Sequence, residues 1–135
     1  MIAPATLADE DAVIALWDAC GLTRPWNPPA RDFRRAVEQD NAAILLLRDG
    51  DTIVGSVMVG DDGHRGWIYY LAVAPAHRRA GTGRTLMAAA EHWMRARGVP
   101  KLQLMVRDGN ADALAFYDAL GFAHQPVAVL GRLLD

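Results

Sequence analysis

Residues 77–86 read HRRAGTGRTL, with Arg78, Arg79 and Arg84 around glycines at 81 and 83. The apolar spacing that follows predicts a helix over about 82–97, stopped by Gly98 and Pro100. A helix start leaves its first backbone N–H groups without partners and carries partial positive charge, which suits an anion. Glycine lets that backbone approach the anion closely. Arg78, Arg79, Ala80, Gly81, Thr82, Gly83 and Arg84 can therefore cradle a phosphate or pyrophosphate. The same residues would also make a glycine-softened turn with its arginines in solvent. Two familiar phosphate loops are excluded. There is no G-x-x-x-x-G-K-[ST], and Leu86 stands where the dinucleotide fingerprint needs its third glycine.

Other residues could move protons. Tyr117 is a weak acid, protonated at neutral pH, but beside Phe116 it reads equally as core. Imidazole titrates near neutrality, so His64 in the turn DDGHRG is a candidate base, or else a solvated strut. Asp61, Asp62, Tyr69 and Tyr70 are further candidates for that role. Trp26, Asn27, Asp62, Arg65, Trp67 and Tyr69 could line a cleft for a second substrate, or simply stiffen two loops. His77, His92 and His124 match no metal-ligand spacing, so no metal is expected. Cys20, at a predicted helix end, reads as packing.

The elements that must position these residues follow from changes of period. LADEDAVIALWDACG and ARDFRRAVEQ read as helices separated by a proline-rich loop. AAILLLR and TIVGSVMVG form a hairpin around DGD, and WIYYLAVA is the next strand. KLQLMV is a strand, and NADALAFYDALG a helix with Asn110 as N-cap and Gly121 as its end. MIAPA at the start, and FAH and VAVLGRLL at the end, read as short strands. The expected order is β-α-α-β-β-β-α-β-α-β(-β), a mixed α/β arrangement without a domain boundary.

Composition agrees with one globular domain. The chain has 135 residues, 52% hydrophobic and 22% charged, with net charge −2. No basic run favours nucleic acid, no apolar run reaches membrane-spanning length, and one cysteine allows no internal disulfide. The expected location is cytoplasmic, with no membrane or nucleic-acid partner. The short last strands leave a homodimer open.

The run YYLAVAPAHRRAGTGRTLM resembles the acetyl-CoA-binding segment of the GNAT N-acetyltransferase superfamily, whose pattern is strand, [QR]-x-x-G-x-[GA], helix. Arg78, Gly81 and Gly83 fit that pattern. NADALAFYDALGF resembles the family's second signature, and the element order agrees over nearly the whole chain. RPWNPP and DGHRGWIYYLAV further resemble a bacterial subgroup of small acetyltransferases. The resemblance implies one domain over 1–135. Its fold would be a mostly antiparallel sheet of six to seven strands with a parallel, splayed fourth and fifth pair, and about four helices.

It also implies a reaction, transfer of acetyl from acetyl-CoA to a primary amine by direct attack on the thioester. The fourth strand would carry a bulge, and the backbone of Leu71, Ala72 and Val73 would pair with the pantetheine arm. The pyrophosphate would lie on residues 79–84. Asn110 would reach the cofactor or cap its own helix. Tyr117 would be the general acid for the leaving thiolate. The departure from the family pattern is that neither strand 67–74 nor strand 101–106 holds the glutamate many relatives use as base. That gap sustains a second reading, a non-catalytic acyl-CoA sensor or interaction module. A plain nucleotide-phosphate binder is disfavoured by the failed fingerprints.

Overall fold

The computed structural model describes residues 1–134. They fall into two compact units, Met1–Met105 and, within the described residues, 106–134. In the first, strands β1 (Ile2–Pro4), β2 (Ala42–Asp49), β3 (Thr52–Asp61), β4 (Gly66–Val73) and β5 (Leu102–Leu104) form one sheet in that spatial order. Neighbouring strands are antiparallel except β4 and β5, which are parallel. Helices α1 (Glu10–Ala19) and α2 (Pro29–Glu38) lie between β1 and β2 in the chain, and α3 (Thr82–Ala96) joins β4 to β5.

The two faces of the sheet bury different helices because successive strand side chains point opposite ways. Val13, Leu16 and Trp17 of α1 and Phe33 and Ala36 of α2 bury against Ile44, Leu46 and Ala72. Burying each of the larger side chains contributes roughly 1.5–3 kcal/mol. Pro29 at the first position of α2 costs no hydrogen bond and starts the helix. A two-pronged Arg34–Glu10 ion pair, at 2.6 and 2.9 Å, ties α2 to α1. On the other face, Leu86, Met87, Ala90 and Met94 of α3 are buried. That helix sits close to β3 because residue 55 is glycine. A Cβ there would come within 2.7 Å of Leu86 Cδ1 and 3.2 Å of Thr82 Cγ2.

The second unit holds helix α4 (Ala111–Ala119). Asn110 Oδ1 accepts the Ala113 N–H at 3.1 Å, which is the capping role. The Phe122 N–H returns to the Tyr117 carbonyl at 3.0 Å and closes the helix end.

The expectation of six to seven strands is corrected. Among the described residues the sheet has five, and FAH and VAVLGRLL form none. Alternating apolar residues favour a strand only where a neighbouring ladder accepts it. Here Val127, Val129, Leu130, Leu133 and Leu134 are exposed, Leu130 at 92%. Pro126 also lacks the N–H a ladder would use. KLQLMV contracts to the three residues of β5. The parallel pair, the remaining strands and the four α-helices stand as expected.

Candidate active site

Strand β4 is irregular at its middle. Ser56 pairs with Ala72 and Met58 with Tyr69, so β4 carries one residue more than β3 across that interval. The extra residue is accommodated at Tyr70, whose φ of 52° lies in the left-handed region. A bulky residue there costs of order 1–3 kcal/mol and persists only where its surroundings over-determine it. They do so from three sides. The Trp17 indole stacks on the Tyr70 ring at 3.8 Å and 12°. Ser56 Oγ donates to the Tyr70 carbonyl at 3.2 Å and accepts Trp17 Nε1–H at 3.0 Å. The Tyr70 hydroxyl donates to Asp32 Oδ2 at 2.7 Å. Burial and the Asp32 carboxylate together hold the Tyr70 phenol well above its ordinary pKa, so it is a donor rather than a base.

Ser56 thus serves two partners in a dry environment. Ser56→Ala is expected to leave the buried Trp17 N–H without an acceptor and to cost about 1–3 kcal/mol, read from urea denaturation midpoints at unchanged slope.

On its β5 side, β4 is unpaired past Ile68, while β3 stays paired with it to Val73. The parallel ladder pairs Gly66, Ile68 and the residue between them with Leu102, Leu104 and the residue between those, and goes no further. Residues 69–73 therefore have no strand partner on that edge among the described residues. The carbonyl of Val73 is taken by Arg78 Nε–H at 3.2 Å and by Cys20 Sγ–H at 3.3 Å. Arg78 is thereby folded back onto the strand end, and Cys20 has the packing role expected of it.

Immediately afterwards comes the loop into α3. Arg79 and Gly81 both adopt left-handed backbone, with φ of 66° and 79°. The first bond of the helix is Thr85 N–H to the Gly81 carbonyl, at 3.0 Å. Among the described residues, the backbone N–H groups of 79–84 find no protein acceptor. Alternating left-handed residues before a helix start turn such groups toward a common concavity suited to an anion. A Cβ at Gly81 would meet nothing within 4 Å, so space is open there. Arg79 and Arg84 are exposed beside it.

The residues expected to line a second-substrate cleft separate into two groups. Asp62 Oδ1 accepts the backbone N–H groups of His64 and Arg65 at 2.8 and 2.7 Å, and its Oδ2 accepts Trp67 Nε1–H at 3.2 Å. Those bonds, the Arg65 N–H foremost, hold the Asp62 carboxyl below its ordinary pKa. Asp62 is therefore the strut of the β3–β4 turn, and His64 enters that turn through its backbone with its imidazole exposed. The Arg65 side chain donates to the His64 carbonyl at 3.0 Å. The Tyr69 side chain is exposed, and partial burial together with the Asp62 charge raises its pKa. Asn27 belongs to the other group. Its Nδ2 donates to Asp32 Oδ2 at 3.0 Å and lies 3.5 Å from the Tyr70 hydroxyl, while the adjacent Trp26 is 66% exposed.

Asp32 was absent from the sequence reading. It lies 38 residues from Tyr70, and only its place in the first turn of α2, where acidic residues are favoured, marked it. In the second unit, Tyr117 packs edge-on against Phe116 and Phe122, at 5.0 and 5.7 Å. Burial pushes its phenol up to about 12.

A bulged strand with an open edge, running directly into a helix start whose N–H groups lack acceptors, marks one end of a mixed α/β sheet. Comparison with known proteins makes this specific. The acetyltransferase (GNAT) family model matches residues 10–122. An acetyltransferase of Yersinia pestis (strain Pestoides F) is 43% identical over 126 residues, 93% of this chain and 89% of that protein. The structure of AAC(6')-Iy in complex with the bisubstrate analogue CoA-S-monomethyl-acetylneamine superposes with TM-score 0.85 over 100% of this chain and 98% of that one, at 16% identity. A transcriptional regulator from Bacillus halodurans C-125 gives TM-score 0.80 at 26% identity, over 98% and 99% of the two chains. The chain belongs to the GNAT acetyltransferase family, and it is an acetyltransferase of that fold.

Proposed function

We propose that this chain, acting as one catalytic domain, is an N-acetyltransferase that uses acetyl-CoA as donor and a primary amine as acceptor. The observation that carries the reading is the row of unpartnered backbone N–H groups at 79–84 directly after an open strand edge. A diphosphate needs several donors and local positive charge, and the helix start of α3 with Arg79 and Arg84 supplies both. The pantetheine arm is a chain of amides, and the free edge of Leu71, Ala72 and Val73 suits it as a neighbouring strand would. The fold neighbour crystallised with a CoA-bearing analogue supports the same assignment.

Acetyl-CoA supplies an electrophilic thioester carbonyl when bound. The chain's own groups bind, orient and donate. A backbone N–H in Leu71–Val73 serves as oxyanion donor. Tyr117 is the donor to sulfur. A phenol raised to about 12 stays protonated at any physiological pH, so it stabilises developing thiolate through a hydrogen bond. The amine's proton leaves through water or through His64. Asn110 already caps α4, and any contact with the cofactor would use its remaining amide group. The cytoplasm is the compartment this reading proposes for the reaction, since a charged donor such as acetyl-CoA does not cross a membrane unaided. No helix among the described residues is long and apolar enough to cross a membrane.

The test is calorimetric titration with CoA and acetyl-CoA. Gly81→Val puts a β-branched residue in left-handed backbone and fills the open space beside the cradle. The expected result is CoA affinity weaker by about tenfold or more, the equivalent of one or two lost charge-assisted hydrogen bonds, with the fold retained by circular dichroism. Affinity equal to wild type would move the diphosphate elsewhere, and no heat with either ligand would end the assignment. Tight CoA binding with no turnover on any amine would favour the sensor.

A further inference from the structure

We infer that Asp32 is the residue that recruits a positively charged acceptor amine, an inference that rests on the acetyltransferase reading. Neither β4 nor β5 carries a carboxylate, yet one reaches the bulge of β4 from α2. Its Oδ2 is fixed by two donors, the Tyr70 hydroxyl at 2.7 Å and Asn27 Nδ2 at 3.0 Å. Its Oδ1 has no hydrogen-bond partner, and no arginine, lysine or histidine forms an ion pair with it, among the described residues. Asp32 is partly exposed.

The position matters as much as the charge. Tyr70 is the last residue before Leu71–Val73, the stretch whose free edge is proposed to hold the thioester arm. The carboxylate held by the Tyr70 hydroxyl is therefore tied to the residue that directly precedes that stretch. Alkylamines are ammonium ions near neutral pH, since their pKa values lie near that of lysine, about 10.4. An oriented carboxylate with one free oxygen pairs with such a group, and neutral acceptors gain nothing from it. Trp26, exposed next to Asn27, offers an aromatic face for the cation or its aliphatic stem. Helix α2 is thus tied to two elements, by Arg34 to α1 and by Asp32 to β4. The acceptor class that fits is a cationic amine, such as a peptide N-terminus, a lysine side chain, a polyamine or an aminoglycoside.

The experiment titrates CoA-loaded protein by calorimetry with four probes: an alanyl peptide, an N-acetylated lysine peptide, spermidine and kanamycin. Asp32→Asn keeps an oxygen acceptor for Tyr70 and removes only the charge. The expected result is that at least one probe binds wild type, and that its Kd rises about ten- to a hundredfold in Asp32→Asn while the CoA Kd and Tm stay unchanged. In turnover the same variant should raise KM for the amine with little change in KM for acetyl-CoA. Asp32→Glu should recover part of the affinity. An unchanged amine Kd in Asp32→Asn, or four silent probes on protein that binds CoA, overturns the inference and leaves the acetyltransferase reading standing. Failure of wild type to bind CoA overturns that reading, and the inference with it.

Discussion

Tyr117→Phe is expected to lower kcat by roughly 10²- to 10⁴-fold, the range a positioned proton donor supplies, with CoA binding intact. Thiol release from acetyl-CoA across an amine panel, with calorimetry in parallel, measures both halves. The substitution removes one oxygen and leaves the edge-on contacts with Phe116 and Phe122 available, so the fold should not report it. A pH profile sharpens the test. Burial raises the Tyr117 phenol above its ordinary value, to about 12, so its neutral donor form persists until pH approaches that value. Any limb of the wild-type profile between pH 6 and 9 must belong to another group, and it should survive in the variant. Retained turnover in Tyr117→Phe would remove this residue from the chemistry.

Trp17→Ala is expected to be the most damaging change to stability, by about 3–5 kcal/mol in urea denaturation. The side chain is fully buried, packs edge-on to Phe33 at 6.3 Å, and is the platform on which Tyr70 stacks. Its loss opens a large cavity and also withdraws one of the three restraints that hold the left-handed backbone of Tyr70. Trp17→Phe separates these effects. It keeps an aromatic surface and forfeits the bond to Ser56, which lies at 3.0 Å, so the cost should fall to about 1–3 kcal/mol. A loss below 1 kcal/mol for Trp17→Ala would mean that the bulge does not depend on the stack.

The contrast between legible and hidden features follows the range of the interactions. The helix start at Thr82, the cap at Asn110 and the β2–β3 hairpin depend on neighbours within a few residues, and the sequence displays them. The resemblance implied a bulge in the fourth strand, but nothing local puts it at Tyr70. A tyrosine disfavours positive φ, and the partners that enforce it, Trp17, Asp32 and Ser56, come from three other elements. Asp62 illustrates the reverse case. An aspartate two and three residues before His64 and Arg65 is ordinary turn chemistry, and the structure gives it that task. FAH and VAVLGRLL read as short closing strands, and the resemblance implied six to seven in all, but nothing local says whether a ladder waits for them.

Glycine at position 55 gives the loop into α3 a floor. Because Thr82 and Leu86 rest where a side chain on β3 would otherwise stand, the height of the first turn of α3 above the sheet is set by a missing methyl group. A substitution there is expected to tilt the first turn of α3, and with it the amides of the proposed cradle, before it unfolds the chain. Interior volume and the geometry of the proposed cradle are thus mechanically geared together, and drift in one will be registered by the other.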